Sequence, residues 1–231
     1  MDYYYSNKDA TSLKEGTVSL KLKVCGMNKN TGEVAALKPD YLGFIFWEPS
    51  RRYFEGEMPS IPHSIKKVGV FVDATILEIA EKTKTYGLLY AQLHGSETPA
   101  FCDELKKAIP QLKIVKVFSI QDDFDFGKLN HFEDVCDYYL FDTKGKLPGG
   151  NGYTFNWEVL QRYPSTKPYF LSGGIGLEEM ISIKEFMKRP EARFCHAIDV
   201  NSKFETEPGL KNIEELKTLQ KAIQTNNTKA R

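Results

Sequence analysis

Eight short apolar runs, each followed by a polar turn and a stretch of helical spacing, predict an α/β fold: a single (β/α)8 barrel of the TIM type. Three observations carry the prediction. The runs recur at the length of one strand plus one helix, no Pro/Gly-rich linker divides the chain, and 231 residues suit one such barrel. An open doubly wound sheet is the alternative, and the missing GxGxxG after the first run counts against it.

The runs are Leu20–Cys25, Tyr41–Phe46, Val68–Val72, Leu88–Leu93, Ile114–Phe118, Tyr138–Phe141, Tyr169–Ser172 and Ala197–Val200. They end at 25, 46, 72, 93, 118, 141, 172 and 200, so successive ends lie 21 to 31 residues apart, the length of a βα unit. Apolar residues at three- and four-residue steps predict helices over Ala74–Tyr86, Glu97–Ala108, Leu177–Lys188 and Ile213–Ile223. The stretch after Phe118, SIQDDFDFGKLNHF, is poor in helix formers and predicts a loop with a short irregular helix. Residues 1–18 read as a flexible extension, 19–225 as the barrel and 226–231 as a polar tail.

Composition narrows the function. Lys and Arg number 31 against 31 Asp and Glu, which removes the electrostatic ground for nucleic acid or an anionic membrane surface as partner. The apolar runs fall far short of the roughly 20 residues of a membrane span. The N-terminus lacks the apolar stretch of a secretion signal. Cys25, Cys102, Cys136 and Cys195 are widely spaced with no CxxC, so neither a disulfide framework nor a thiolate zinc site is signalled. A cytoplasmic enzyme is expected.

A barrel of this kind places its active site at the C-terminal strand ends. In the first run Leu20, Leu22 and Val24 share one face, while Lys21, Lys23 and Cys25 share the other. The apolar face packs on helices, which turns Lys23 and Cys25 toward the barrel mouth. An ammonium beside a thiol favours the thiolate. A free cysteine at a strand end is equally often a small buried hydrophobe, and the local sequence leaves both readings open. Asp142 closes the sixth run: burial there would raise its pKa and make it a proton donor, whereas the alternative is a turn cap. Gln92, His94 and Asp199 also stand at strand ends and join Lys23 as substrate-binding candidates.

Two stretches after the last strands, Ser172-Gly173-Gly174-Ile175-Gly176 and Asp199-Val200-Asn201-Ser202, fall where this fold usually holds a phosphate. The segment WEPSRRYF offers Arg51 and Arg52 either as a carboxylate clamp or as solvated loop residues. The segment 144–154 carries four glycines and reads as a lid or as a loose excursion.

Taken in order, these stretches resemble one family. Lys23-Val24-Cys25-Gly26, Gly43-Phe44-Ile45-Phe46, Pro49-Ser50-Arg51-Arg52-Tyr53, Val68-Gly69-Val70-Phe71-Val72 and Gln92-Leu93-His94-Gly95 are similar to phosphoribosylanthranilate isomerases. So are Phe141-Asp142-Thr143, Gly149-Gly150-Asn151-Gly152, Ser172-Gly173-Gly174-Ile175, Asp199-Val200-Asn201-Ser202 and Pro208-Gly209-Leu210-Lys211. Only the two chain ends fall outside the series.

The resemblance implies an Amadori rearrangement of N-(5-phosphoribosyl)anthranilate in tryptophan biosynthesis, without metal or organic cofactor, by a monomer or homodimer. It implies Cys25 as general base, Asp142 as general acid, Arg52 on the anthranilate carboxylate, and Gly173, Gly174, Asn201 and Ser202 on the phosphate.

Several positions depart from the family pattern. Asn201 replaces a usual Ser, Lys203 a common Gly, Tyr153 a frequent Lys and Asn156 an Asp, so Lys203 is a candidate to supply a charge that the lid lacks. Rival readings are a histidine-pathway aminoaldose isomerase, which would want Asp at position 25, and a metal-dependent ribulose-phosphate epimerase. His63, His94, His131 and His196 form no metal cluster by position. A non-catalytic phosphosugar-binding barrel is the remaining alternative, and intact Cys25 and Asp142 argue against it.

Overall fold

A computed structural model describes residues 20–143 and 157–229. The expected N-terminal extension, the candidate lid 144–154 with Tyr153, and Asn156 lie outside the described residues.

Eight parallel strands close on themselves in sequence order: β1 (Lys21–Cys25), β2 (Tyr41–Ile45), β3 (Lys66–Phe71), β4 (Tyr90–Leu93), β5 (Lys113–Ile120), β6 (Tyr138–Thr143), β7 (Tyr169–Ser172) and β8 (Cys195–Val200). The closing pair is β1 with β8, in a register that sets Lys23 opposite Asp199. Each expected run is a strand, with ends shifted by at most two residues.

Alternation along the strands builds two cores. Leu22, Val24, Leu42, Phe44, Phe71 and Phe141 point outward into a layer shared with the helices. Tyr41, Val68, Tyr90, Val115, Leu140, Phe170 and Ala197 fill the interior. Tyr41 meets Tyr90 and Phe170 edge-on at 5.4 and 5.3 Å, so aromatic rings plug the N-terminal end of the barrel. Toward the other end the interior turns polar, with Lys23, Gln92 and Asp199 all buried. That gradient fixes where chemistry is possible.

The principal helices are α1 (Thr31–Ala36), α2 (Ile76–Tyr86), α3 (Pro99–Ala108), α4 (Met180–Phe186) and α5 (Ile213–Lys229). The second starts two residues later than its apolar spacing suggests, because Thr75 is its N-cap: the hydroxyl accepts from Glu78 N while Glu78 accepts from Thr75 N. It stops at Gly87, which takes φ 60°. The third starts at Pro99 rather than Glu97 because Thr98 caps it and Glu97 turns inward to Lys116. The expected helix over Leu177–Lys188 is divided: a 3-10 turn at Leu177–Glu179 precedes the α-helical part. The stretch after Phe118 continues β5 to Ile120 and then forms a 3-10 helix over Phe126–Phe132. The last helix runs past Ile223 to Lys229, through residues read as tail. A further two-stranded hairpin, β9 (Glu205–Glu207) with β10 (Leu210–Lys211), follows β8 and has no counterpart among the eight runs.

Candidate active site

At the C-terminal mouth lies a hollow of about 220 Å³ whose walls include Cys25, Gln92, His94, Asp142, Asp199, and the loop residues Gly173, Gly174, Asn201, Ser202 and Lys203. Cys25 and Asp142 come from strands that are not neighbours in the barrel, β1 and β6, yet they face the same space.

Cys25 differs from the other three cysteines in surroundings rather than in burial. All four are buried free thiols. Cys102, Cys136 and Cys195 sit in the apolar layer under the helices, and burial pushes them up to about 11, 12 and 12. Cys25 instead ends β1 facing the hollow. Gly43 on the adjacent strand makes room for it: a Cβ there would lie 2.8 Å from Sγ. Gly26, with φ 74°, turns the chain sharply afterwards, and a Cβ on it would strike Asn201 and Arg52.

Of the two readings left open for Cys25, a thiolate does not follow from Lys23 alone. Burial raises the Cys25 pKa; Lys23, Lys211 and the Gly26 N–H pull it down while Asp199 pushes it further up, and the balance stays above the ordinary thiol value. Lys23 is shared. Its Nζ donates to Asp199 Oδ2 at 2.6 Å and to Gln92 Oε1 at 2.8 Å, inside the barrel at 1% exposure. Burial alone would lower Lys23, but Asp199 and Cys25 override it and hold the ammonium charged. Burial pushes the Asp199 carboxyl the other way, upward, with Asp142 adding to the push and Lys23 opposing it. The 2.6 Å contact decides the matter in favour of an ion pair. Asp199 Oδ1 is left buried with no hydrogen-bond partner among the described residues, in a residue that lines the hollow. Lys23, expected as a substrate contact, is therefore the floor beneath the site and not part of its lining.

Asp142 ends the interior face of β6 between Ser119 of β5 and Ser172 of β7. Its side chain is 18% exposed, and His94 Nε2 lies 3.7 Å from its Oδ2. The burial expected from the run that precedes it is thus only partial, because the strand opens there into the mouth. His94 reaches this point on a loop held from below: the Glu97 carboxylate accepts from Gly95 N and Asp73 N, and Lys116 anchors that carboxylate at 2.7 Å.

Arg52 is placed differently from the other candidates. It does not line the hollow; it lies behind Gly26, where Nε and Nη2 grip the Glu205 carboxylate at 2.6 to 2.9 Å. Glu205 also accepts from Lys211 Nζ at 2.7 Å and from Gly209 N at 3.1 Å. Burial would raise Glu205, but Arg52 and Lys211 outweigh it and hold the carboxylate below its ordinary range. Lys211 reaches on to Asn201 Oδ1 at 2.8 Å, and its backbone pairs with the Asn30 side chain in both directions. Sequence reasoning missed Glu205 and Lys211 as site residues. The signal was present only as the stretch Pro208–Lys211, which the apolar runs do not explain.

After β7, Gly173 and Gly174 take φ of 103° and 64°, a left-handed turn that leads into the 3-10 turn. Asn201, Ser202 and Lys203 follow β8 beside them. Gly173, Gly174, Asn201 and Ser202, the expected phosphate residues, thus all line the hollow, with Asn201 also close to Arg52 across Gly26.

Comparisons with known proteins point to one family. The family model described as N-(5'-phosphoribosyl)anthranilate (PRA) isomerase matches residues 22–222. The N-(5'-phosphoribosyl)anthranilate isomerase of Parabacteroides distasonis is 45% identical over 204 residues, covering 85% of this chain and 90% of the relative. That of Phocaeicola vulgatus is 40% identical over 193 residues, covering 83% and 91%. Among solved structures, phosphoribosyl anthranilate isomerase from Thermotoga maritima superposes with a TM-score of 0.74 at 26% identity, covering 89% of this chain and 99% of that one.

Proposed function

The chain belongs to the N-(5'-phosphoribosyl)anthranilate isomerase family, and from that premise we propose how its residues divide the reaction. The activity is an aldose–ketose isomerisation of the Amadori type in tryptophan biosynthesis, converting N-(5-phosphoribosyl)anthranilate to 1-(2-carboxyphenylamino)-1-deoxyribulose 5-phosphate. The observation that carries the division of roles is the convergence of Cys25 and Asp142 on one hollow from non-adjacent strands.

Asp142 acts as general acid. Its proton goes to the furanose ring oxygen as the C1′–O bond breaks, and the anilino nitrogen lone pair forms the C1′=N bond of a protonated Schiff base. Cys25, as thiolate, then removes the C2′ proton; the C2′–H electrons become the C1′=C2′ bond and the C=N electrons return to nitrogen. The enolamine loses its O2′ proton and gains one at C1′, giving the ketone with no net change of atoms or electrons. Each transfer is worth about a hundred- to ten-thousand-fold in rate.

Three further groups hold the substrate in this reading. Arg52, oriented by Glu205, takes the anthranilate carboxylate through its remaining N–H groups. Asp199 Oδ1, the unpartnered buried acceptor, takes a sugar hydroxyl. Gly173, Gly174, Asn201 and Ser202 surround the phosphate, with Gln92 and His94 on the sugar. The reading extends to a cytoplasmic enzyme, monomeric or homodimeric, with a free phosphosugar as partner. Balanced charge favours a small-molecule partner over nucleic acid or an anionic surface, and no helix among the described residues is long and apolar enough to cross a membrane.

The test is loss of substrate fluorescence with purified protein. Cys25→Ala and Asp142→Asn are each expected to lower kcat by at least about a hundredfold, while Arg52→Ala mainly raises KM. Near-normal turnover in either of the first two variants overturns the roles.

A further inference from the structure

Lys203 is the one lysine or arginine among the described residues that line the hollow. It stands at the end where Gly173, Gly174, Asn201 and Ser202 gather. Its Nζ donates to Glu178 Oε1 at 2.7 Å, spanning from the loop after β8 to the loop after β7. Each partner raises the cost of discharging the other: Glu178 holds Lys203 above its ordinary pKa, and Lys203 holds Glu178 below.

The Glu178 carboxylate sits close to the glycine turn, since a Cβ on Gly176 would lie 2.6 Å from its Oε2. Left alone, that negative charge beside the turn would repel an arriving phosphate dianion. The Lys203 ammonium cancels it.

The pair is also easy to redistribute. The two side chains are 50% and 57% exposed, and an ion pair so exposed shifts an equilibrium by only about one- to fivefold. The Arg52–Glu205–Lys211 cluster offers no such freedom. Glu205 and Lys211 are 3% and 0% exposed, with every strong contact already made inside the protein. Asn201 is likewise committed on one side. Its Oδ1 accepts from Lys211, which leaves its Nδ2 donor as the polar atom not engaged by that lysine.

We propose that Lys203 is a specificity-determining residue for the phosphate end of the substrate, resting on Glu178 in the empty site and turning its ammonium to the phosphate dianion on binding. Glu178 is the counterweight that keeps the ammonium at the rim when the site is empty. The proposal rests on the isomerase reading for the identity of the substrate, not for the location of the anion. A cationic side chain here discriminates a phosphorylated sugar from its unphosphorylated counterpart, which the neutral glycine turn does less strongly.

Steady-state kinetics of the full chain, with inorganic phosphate as competitive inhibitor, tests it. Lys203→Ala is expected to raise KM and the phosphate Ki about tenfold each while kcat stays within about twofold. Glu178→Gln is expected to lower both about two- to threefold, and to have no such effect in the Lys203→Ala background. Unchanged KM and Ki in Lys203→Ala, or a loss confined to kcat, overturns the proposal. So does weaker phosphate binding in Glu178→Gln, which would make the pair a structural tie. Should the native chain show no isomerase turnover, calorimetric titration of inorganic phosphate into native and Lys203→Ala protein still decides. Equal affinities sink the role of Lys203; a tenfold loss preserves it while the isomerase reading falls.

Discussion

At the scale of single residues, the thiol of Cys25 is the most consequential group because its protonation state is a contest. Burial keeps it neutral, while Lys23 and Lys211 pull toward the thiolate. A base raised above its ordinary value gains its active form as pH rises, so kcat/KM is expected to climb through the alkaline range on a limb above pH 9.0, the ordinary thiol value. Replacing Lys23 with Met removes the largest downward pull. The limb is then expected to move to still higher pH, and pH profiles of the two proteins measure the displacement. An unmoved limb would mean that Lys23 serves only to neutralise Asp199. Gly43 belongs to the same account, since only a residue without a side chain leaves the Sγ of Cys25 its place.

At the scale of elements, the site is held by loops tied from behind. The β9–β10 hairpin delivers Glu205 to Arg52 and Lys211 to Asn201, so one appendage ties two residues beside the mouth. Glu205→Gln is expected to loosen the guanidinium and raise KM about tenfold with a smaller change in kcat. The buried Lys211 left behind costs about 3–5 kcal/mol of stability by comparison with other broken buried pairs. Kinetics alongside thermal melts separate the two effects: a lower Tm with unchanged KM would show Arg52 to be a strut. The Glu97–Lys116 pair plays a similar part under the loop of His94, and it explains why α3 begins at Pro99, since Glu97 is drawn off the helix into the sheet.

At the scale of the whole molecule, the barrel is polar at the mouth and aromatic at the base, and the base carries one histidine. His196 packs against Tyr41, Tyr138 and Phe170, and its Nε2 lies 2.6 Å from Tyr41 Oη. Burial, with Lys21 and Lys66 nearby, lowers its pKa from 6.5 to about 4. The sign follows from linkage: between those values the unfolded chain binds the proton and the folded chain does not, so acid favours unfolding. Stability is expected to be full above pH 6.5 and to fall as pH drops toward 4. Tm measured across that window should decline less steeply in His196→Gln. An equal decline in both proteins would assign the acid sensitivity elsewhere.

The fold and the placing of Cys25 and Asp142 at one mouth were legible because both are written in local periodicity, whereas the roles expected of them came from the family resemblance. Alternation along Leu20–Cys25 alone turns Cys25 inward, and strand spacing alone sends Asp142 to the same end of a closed barrel. Residues chosen by such rules, Gln92, His94, Asp199, Gly173, Gly174, Asn201 and Ser202, do gather at the hollow. Arg52 did not join them, and Glu205 and Lys211 escaped notice, because an ion pair between residues 153 positions apart leaves no periodic trace. The sequence by itself therefore determined which strand ends meet at the mouth, since side-chain direction repeats every two residues along a strand and barrel closure does the rest. Only the tertiary structure decided which charges face each other there. Whether a lysine activates a thiol or neutralises an aspartate depends on distances across strands, and no spacing along the chain encodes them.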